Sequence, residues 1–503
     1  VRDEGAMISF GLDMLGLAPV WNSRGIVKSL ERLPMAGLEE NGQQRRRHDV
    51  VFTTSGLFRD LYGAQLVWLE RAVLMALDAS SEQIHKDYPA LTLALNHALE
   101  PLGALSNPGD EPLSMNLVAA QWVKDARLAL QNGIAPTQAG KQATYRVFGA
   151  PPGAYGAGVN RMVERSGSWE QRSEVGQVYL HRMGHAYGEN LAGEPLQGLF
   201  AERLKTVGKT YLGRASNLYG LLDNNDSFDY LGGLSLAIET VSGQPPQSFI
   251  VAHPDNVNLT VEPLDVALLQ ELRGQFLNPQ WLKPLMDEGY AGARTMGSEF
   301  LEYLWGWQVT NPGVVKSWVW DEVKSVYVDD SLDLGLDEFL EKDHNVHVKS
   351  NMLSIMLVAA QKEFWETDQQ TLTELANQFA GLILTNGLPG SGHTNPNHPL
   401  YDWLEDYVSA EKYGQLQQVL DSARVEKSVQ SVPSVIAEIT LDSEPQADTS
   451  DTDNQSDKLV SSEAIIAKYW QWLLVFVLLL GLGWYRGMAR PGASSRLNTT
   501  SEN

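Results

Sequence analysis

Phe148-Gly-Ala-Pro-Pro-Gly-Ala-Tyr-Gly-Ala-Gly158 decides the fold, because here a short apolar run gives way to a glycine-rich loop. The run, Tyr145-Arg-Val-Phe148, predicts a short strand, and the residues after the loop predict a helix. Strand, glycine-rich loop and helix in this order are typical of an α/β unit. The strand–helix alternation continues from residue 145 to about 260, so we expect the centre of the chain to be α/β.

The three glycines Gly153, Gly156 and Gly158 let the backbone approach a ligand closely, and a helix N-terminus after them favours anions. No Gly-Lys-Ser/Thr follows this loop, and the spacing is Gly-x-x-Gly-x-Gly, so neither a P-loop nor a dinucleotide fingerprint is present. A tight turn without a ligand explains the same residues.

His181 and His185 lie four residues apart. If the segment is helical, both imidazoles share one face and can hold one metal ion. No Glu follows the first His, which excludes the zinc-protease pattern, and Gly184 weakens a helix. From spacing alone, two unrelated histidines are the favoured interpretation.

Asp223, Asp226 and Asp229 crowd a turn that ends in Gly232-Gly233. Carboxylates at this spacing can bind a hard cation or exchange protons with shifted pKa values. They equally cap a helix or face solvent, and the residue order of a calcium-binding loop is absent. On its own this cluster favours a structural role.

The composition of the chain disfavours several classes of function. The net charge is −24, from 38 basic and 62 acidic residues, which disfavours nucleic-acid binding because that needs basic patches. The absence of cysteine excludes disulfides and thiolate chemistry. The chain begins at Val1 within an amphipathic pattern, so we expect it to be the C-terminal part of a longer protein.

The whole chain predicts a helix-rich, multi-domain α/β protein with a flexible acidic linker and one C-terminal transmembrane helix. The aromatic and methionine stripes of the helical region predict core packing rather than a cofactor site. The expected segments are an α/β unit plus helices at 1–140, the glycine-loop and acidic-turn region at 141–260, a helical region at 261–427, the linker at 428–463, the transmembrane helix at 464–486 and a tail at 487–503.

The apolar run at 464–485 supplies the roughly 20 residues that a bilayer crossing needs. Aromatic residues lie at both of its ends, as they do at membrane interfaces. Three arginines follow the run and two lysines precede it, so the positive-inside rule favours a cytoplasmic C-terminus. We therefore expect a single-pass inner-membrane protein whose bulk lies in the periplasm.

Five ordered motifs carry a family resemblance: the loop 148–158, Tyr187-Gly188, the turn 222–233, Asn278-Pro-Gln-Trp281 and Gly289-Tyr-Ala-Gly-Ala293. Over about residues 1–410 the chain resembles the large component of cobaltochelatase (CobN type) and the related H component of magnesium chelatase. Full members of this family are much longer.

The resemblance implies an enzyme subunit that binds a tetrapyrrole in a cleft, where a divalent metal is inserted as in cobalamin biosynthesis. Cobalt is the default metal and iron the alternative, and AAA+ partner proteins hydrolyse the ATP. The implied acid–base residues are His181, His185, Asp223, Asp226 and Asp229, and the implied metal ligands are His181, His185 and His253. The implied tetrapyrrole contacts are Gly153, Tyr155, Gly156, Gly158, Tyr187, Tyr219, Gly232 and Gly233.

Two departures from the family qualify these implications. Leu218-Tyr219-Gly220 stands where cobalt-type members usually have a His, and the loop 390–397 lacks the cysteines of many relatives. The membrane run is similar to that of tethered CobN-like proteins of haem uptake. The alternatives are therefore an extracytoplasmic haem or tetrapyrrole dechelatase, which AAA+ partners in the cytoplasm could not reach, and a non-catalytic tetrapyrrole carrier.

Overall fold

A computed structural model describes residues 5–40, 42–214, 220–252 and 259–429. The expected transmembrane helix and tail lie outside these residues, as does the acidic linker except Ser428 and Val429, which end the last helix. Within the described ranges, no helix combines the length and apolarity that a bilayer crossing requires. The described chain is a helix-rich α/β protein, as the sequence predicts.

The strands are short. They are Leu17–Trp21, Val27–Arg32, Glu39–Glu40, Gln43–Gln44, Phe52–Thr54, Val147–Gly149, His185–Gly188, Leu191–Pro195, Lys209–Arg214, Gln247–Ala252 and Thr260–Pro263.

The α-helices make up most of the described chain. They are Ala6–Leu15, Gly56–Leu61, Gly63–Asp78, Ser81–Asp87, Thr92–Leu99, Leu117–Gln131, Pro136–Gln142, Val159–Glu164, Arg172–Met183, Gln197–Leu204, Asn225–Ser227, Gly233–Ser242, Leu264–Glu271, Pro279–Asp287, Tyr290–Arg294, Glu302–Thr310, Ser317–Tyr327, Leu336–Glu341, Asn345–Gln361, Gln369–Asn386, Leu400–Trp403 and Ala410–Val429.

A four-stranded sheet positions the glycine-rich loop. Phe52–Thr54 pairs in parallel with Val147–Gly149, which pairs antiparallel with His185–Gly188, and Leu191–Pro195 forms the far edge. Because Val147–Gly149 is fully buried in the middle of this sheet, the loop leaves the sheet at a fixed point.

A three-stranded sheet positions the acidic turn. Lys209–Arg214 and Gln247–Ala252 run parallel, and Thr260–Pro263 adds an antiparallel edge. Parallel neighbours need a crossover connection. The helix Gly233–Ser242 supplies it, and the turn precedes that helix.

Three hydrophobic clusters stabilise the described chain. One gathers buried side chains between Leu12 and Ala143, the largest gathers those between Phe148 and Leu420, and a small one joins Leu66, Leu69, Val147 and Tyr187. The aromatic stripe of the helical region, including Trp305 and Trp307, lies fully buried in the largest cluster, as expected. The expected domain boundary at 260 runs through this cluster.

Most expected elements form, with shifts at their ends. The helix Ala6–Leu15 ends at Gly16, whose φ of 72° is the left-handed conformation that favours glycine at a helix C-terminus. The apolar run Asp49-Val-Val-Phe-Thr-Thr54 predicts a strand, but only 52–54 form one, and Asp49 binds the buried Arg146 guanidinium. The leucine-rich segment after Ser55-Gly56 predicts one helix, and this helix is interrupted at Tyr62.

Candidate functional site

The glycine-rich loop has the backbone that its glycines require. Gly153, Gly156 and Gly158 have φ values of 76°, 75° and 83°, a region that costs other residues strain. Gly158 ends the loop at the start of the helix Val159–Glu164. The predicted strand–loop–helix arrangement is confirmed.

Asp229 joins the acidic turn to this loop. Its carboxylate accepts hydrogen bonds from the backbone N–H groups of Ala157 (2.7 Å) and Asn160 (3.0 Å). The side chain is buried, and that burial raises its pKa while the two N–H groups oppose the rise. The anion that the loop amides bind is therefore the chain's own carboxylate, which gives Asp229 a structural role in joining the turn to the loop.

Arg59 holds the other side of the loop. Its Nη1 donates to the carbonyl oxygens of Ala150 (3.0 Å) and Pro151 (2.6 Å), and its Nε donates to Asp60 (2.7 Å). The Asp60 carboxylate accepts a hydrogen bond from the Tyr155 hydroxyl at 2.5 Å, and Tyr155 is 60% exposed. The sequence analysis did not identify Arg59. Its position, shortly after the strand Phe52–Thr54 that pairs with Val147–Gly149, could have indicated that it lies near the loop.

Three of the expected tetrapyrrole contacts, Tyr187, Gly232 and Gly233, are buried and closely packed. Tyr187 is buried, and its hydroxyl donates to the Ala150 carbonyl. A Cβ on Gly232 would lie 2.4 Å from Thr310 Oγ1, and one on Gly233 would lie 2.6 Å from the Tyr179 ring. These glycines allow close helix packing, and neither faces an open surface.

Asp223 and Asp226 are the exposed carboxylates of the turn. Nearby, the buried Glu271 carboxylate accepts the backbone N–H groups of Leu221 and Leu222 and pairs with Arg214 at 3.0 Å. Partial desolvation, and then the Glu271 charge, raise the pKa of Asp223 to about 6. Asp223 is thus accessible and poised to exchange a proton near neutral pH.

His181 and His185 do not form the expected helical pair. The helix ends at Met183, and His185 belongs to the strand His185–Gly188. Gly184 caps this end of the helix and packs so closely that a Cβ there would lie 2.7 Å from the Gln197 backbone. The two imidazoles therefore do not share one helix face, the arrangement on which the predicted metal site was based.

The remaining expected residues, His253 and Tyr219, lie outside the described residues. Within the ranges that the structure describes, no group of three or more His, Asp or Glu side chains is arranged to hold a metal ion.

A cleft of about 880 Å³ opens elsewhere, beside the start of the helix Arg172–Met183. Volumes of about 300–1,000 Å³ are usual for small-molecule sites. Its walls include Trp169, Phe364 and two cations, Arg172 and Lys362. Arg172 pairs with Glu239, whereas Lys362 donates to the Trp169 carbonyl at 2.9 Å and lies 4.0 Å from the Trp169 ring centre. No sequence pattern indicates this cleft, because its walls come from distant segments.

Comparison with solved structures supports the fold. The chain is similar to the catalytic subunit of cobaltochelatase from Mycobacterium tuberculosis, with a TM-score of 0.61 and 25% identity. The similarity covers 74% of this chain and 28% of that protein.

Sequence comparison gives the same grouping. The aerobic cobaltochelatase protein CobN of Pseudomonas aeruginosa is 29% identical over 367 residues, 73% of this chain and 26% of that protein. The H component of magnesium chelatase from Cereibacter sphaeroides is 27% identical over 380 residues, 75% of this chain and 27% of that protein. The chain thus spans about a quarter of the length of these relatives. Residues 1–372 match the CobN/magnesium chelatase family model, and the chain belongs to that family.

Proposed function

We propose that this chain is part of the large, tetrapyrrole-binding subunit of a metal chelatase that inserts a divalent metal, with cobalt as the default. The family match over residues 1–372 carries this proposal. The contact between the glycine-rich loop and the acidic turn supports it, because both motifs of the resemblance meet through Asp229.

Metal insertion requires that two pyrrole N–H protons leave the macrocycle. A base for this step needs an accessible group whose pKa lies near the working pH. Asp223 meets both conditions, and its neighbour Asp226 is exposed beside it. We assign Asp223 as the proton acceptor and Tyr155 as an exposed ring for the flat macrocycle.

ATP hydrolysis belongs to AAA+ partner proteins in this proposal. The glycine-rich loop is not a P-loop, and its nearest anion is Asp229. The tripeptide Gly208-Lys209-Thr210 opens the strand Lys209–Arg214 rather than a helix, so it is not a phosphate loop either.

The test uses the full-length protein that carries this chain, with metal-free porphyrin and Co²⁺, with and without ATP and the AAA+ partners. We expect porphyrin binding and metal insertion, and we expect Asp223→Asn to lower the insertion rate at least tenfold while porphyrin still binds. Asp110→Asn, another exposed carboxylate, is the control and leaves the rate unchanged. Binding without insertion under any condition supports a carrier, and no porphyrin binding contradicts both functions.

The apolar run at 464–485 favours a second candidate, an inner-membrane protein whose bulk is periplasmic and which removes metal from haem or another tetrapyrrole. ATP-driven partners in the cytoplasm would not reach such a site. A reporter fused after Asn503 and found in the cytoplasm supports this orientation. Iron release from haem without ATP would then favour removal over insertion.

A further inference from the structure

A buried polar cluster lies between three segments that are far apart in sequence. Ser166 comes from the short helix Ser166–Ser168, His393 and His398 come from the loop before Leu400–Trp403, and Glu302 starts the helix Glu302–Thr310. Ser166 and His393 have no exposed surface, and the Glu302 side chain is 11% exposed. Because burying polar groups is costly unless they are paired, each contact in the cluster matters.

The hydrogen bonds fix the state of His398. Its Nδ1 accepts the backbone N–H of Leu400 (3.0 Å), so the neutral ring carries its proton on Nε2 and donates it to Ser166 Oγ (2.9 Å).

Ser166 Oγ also lies 2.8 Å from His393 Nδ1. With a metal ion on His393 Nε2, the ring proton is on Nδ1 and Ser166 Oγ accepts it, as it accepts that of His398. Without a metal ion, the Ser166 hydroxyl donates to His393 Nδ1, and Nε2 carries the ring proton. A fixed hydrogen-bond partner of this kind orients the histidines that bind metals.

The other side of His393 faces Glu302 across a short gap. Its Nε2 lies 3.6 Å from Glu302 Oε1, and within the described residues neither of these buried atoms has a hydrogen-bond partner. This distance is longer than a hydrogen bond, which spans about 2.7–3.2 Å. Two ligands held about 2.0–2.2 Å from one tetrahedral ion would lie about 3.4 Å apart. The spacing of the two atoms therefore matches that of two ligands of one metal ion.

We propose that Glu302 and His393 bind a divalent first-row transition metal ion in this gap. Imidazole and carboxylate ligands suit Co²⁺ and Zn²⁺ better than Mg²⁺ or Ca²⁺. The Glu164 carboxylate adds negative charge close by, since it interacts electrostatically with both Glu302 and His393.

Within the described residues no third ligand joins these two in a group that could hold a metal ion, so in this proposal water or another exchangeable ligand completes the coordination. A site of this kind binds and releases its ion more readily than a closed structural site. The proposal does not depend on the chelatase function. If that function holds, the site would retain the metal substrate before transfer.

The test is a Co²⁺ titration of the untagged full chain, followed by visible absorption. We expect one saturable ion per chain, and at least tenfold weaker binding in Glu302→Gln and in His393→Gln. The control Glu100→Gln, from the exposed pair with His97 at 3.8 Å, binds as the wild type does.

X-ray absorption of Co²⁺ on the unaltered protein covers the case that a variant fails to fold. One imidazole nitrogen with oxygen ligands is the expected coordination. Absence of saturable binding, an all-oxygen coordination sphere, or binding that persists in both variants would overturn the proposal, and His393 and Glu302 would then share only a proton.

Discussion

At the residue scale, the three aspartates of the acidic turn have different environments and hence different roles. Asp229 is buried and bonded to two loop N–H groups, whereas Asp223 is exposed and has a raised pKa. The sequence predicted the cluster correctly but could not separate its members, because burial depends on segments distant in the chain. Glu271, whose charge helps to raise the pKa of Asp223, lies 48 residues further along the sequence.

Asp223 makes stability depend on pH. Its pKa rises from 3.8 to about 6 on folding, so between about pH 4 and pH 6 the folded state holds a proton that the unfolded state has lost. We expect its contribution to the unfolding free energy to decrease as pH rises through this window. Asp223→Asn should remove this dependence, so that the variant gains stability relative to the wild type between pH 4 and pH 7. Urea unfolding of the variant and the wild type at pH 4 and pH 7 measures this change. An equal difference in unfolding free energy between the two proteins at both pH values contradicts it.

Asp229→Asn should destabilise the protein at neutral pH. An amide of the same shape presents an NH₂ group to one of the two loop N–H donors, which leaves a buried donor without a partner at a cost of about 1–3 kcal/mol. Urea unfolding at pH 7 measures the loss, with Asp226→Asn at an exposed position as the control. A variant as stable as the wild type would show that the loop does not need this carboxylate.

At the element scale, the sequence predicted elements better than their junctions. The strand before the glycine-rich loop, the helix Ala6–Leu15 and the crossover helix Gly233–Ser242 follow from local apolar patterns. The supposed helix through His181 and His185 fails at Gly184, where the Gln197 backbone leaves no room for a side chain. That contact joins segments that no local pattern relates.

Gly158 tests how tightly the loop is held. Gly158→Ala places a Cβ in the left-handed region, at a cost of about 1–2 kcal/mol, and 2.5 Å from Arg182 Cδ. Arg182 would have to move, and its contacts with the Tyr155 and Gly156 carbonyls would be lost. We expect a larger loss of unfolding free energy than for Gly243→Ala, the control.

Gly243 is a sound control because its φ of 77° is similar and no atom lies within 4 Å of its would-be Cβ. The difference between the two variants in urea unfolding therefore measures the Arg182 contact. Equal losses of unfolding free energy would mean that the contact between the loop and Arg182 contributes no stability.

At the scale of the whole molecule, the described chain extends past the family match. The match ends at residue 372, yet the helices Gln369–Asn386 and Ala410–Val429 contribute to the largest hydrophobic cluster. The same segment supplies His393 and His398. The sequence predicted a helical region at 261–427 but not that it shares a core with the α/β region, because local periodicity does not report which elements pack together.

A chain truncated after residue 372 should therefore not fold. It would lose buried side chains that each contribute about 1.5–3 kcal/mol, and their combined loss of about 10–20 kcal/mol is as large as the roughly 5–15 kcal/mol that stabilises a typical domain. These side chains are Leu375, Phe379, Ile383, Leu400, Leu404, Leu416 and Leu420. Truncation after Val432, where the compact unit ends, keeps all of them and is the control. Circular dichroism and limited proteolysis distinguish the two fragments: we expect a cooperative thermal transition and protease resistance for the longer fragment only. A folded 1–372 fragment would mean that the family-matched part has its own complete core.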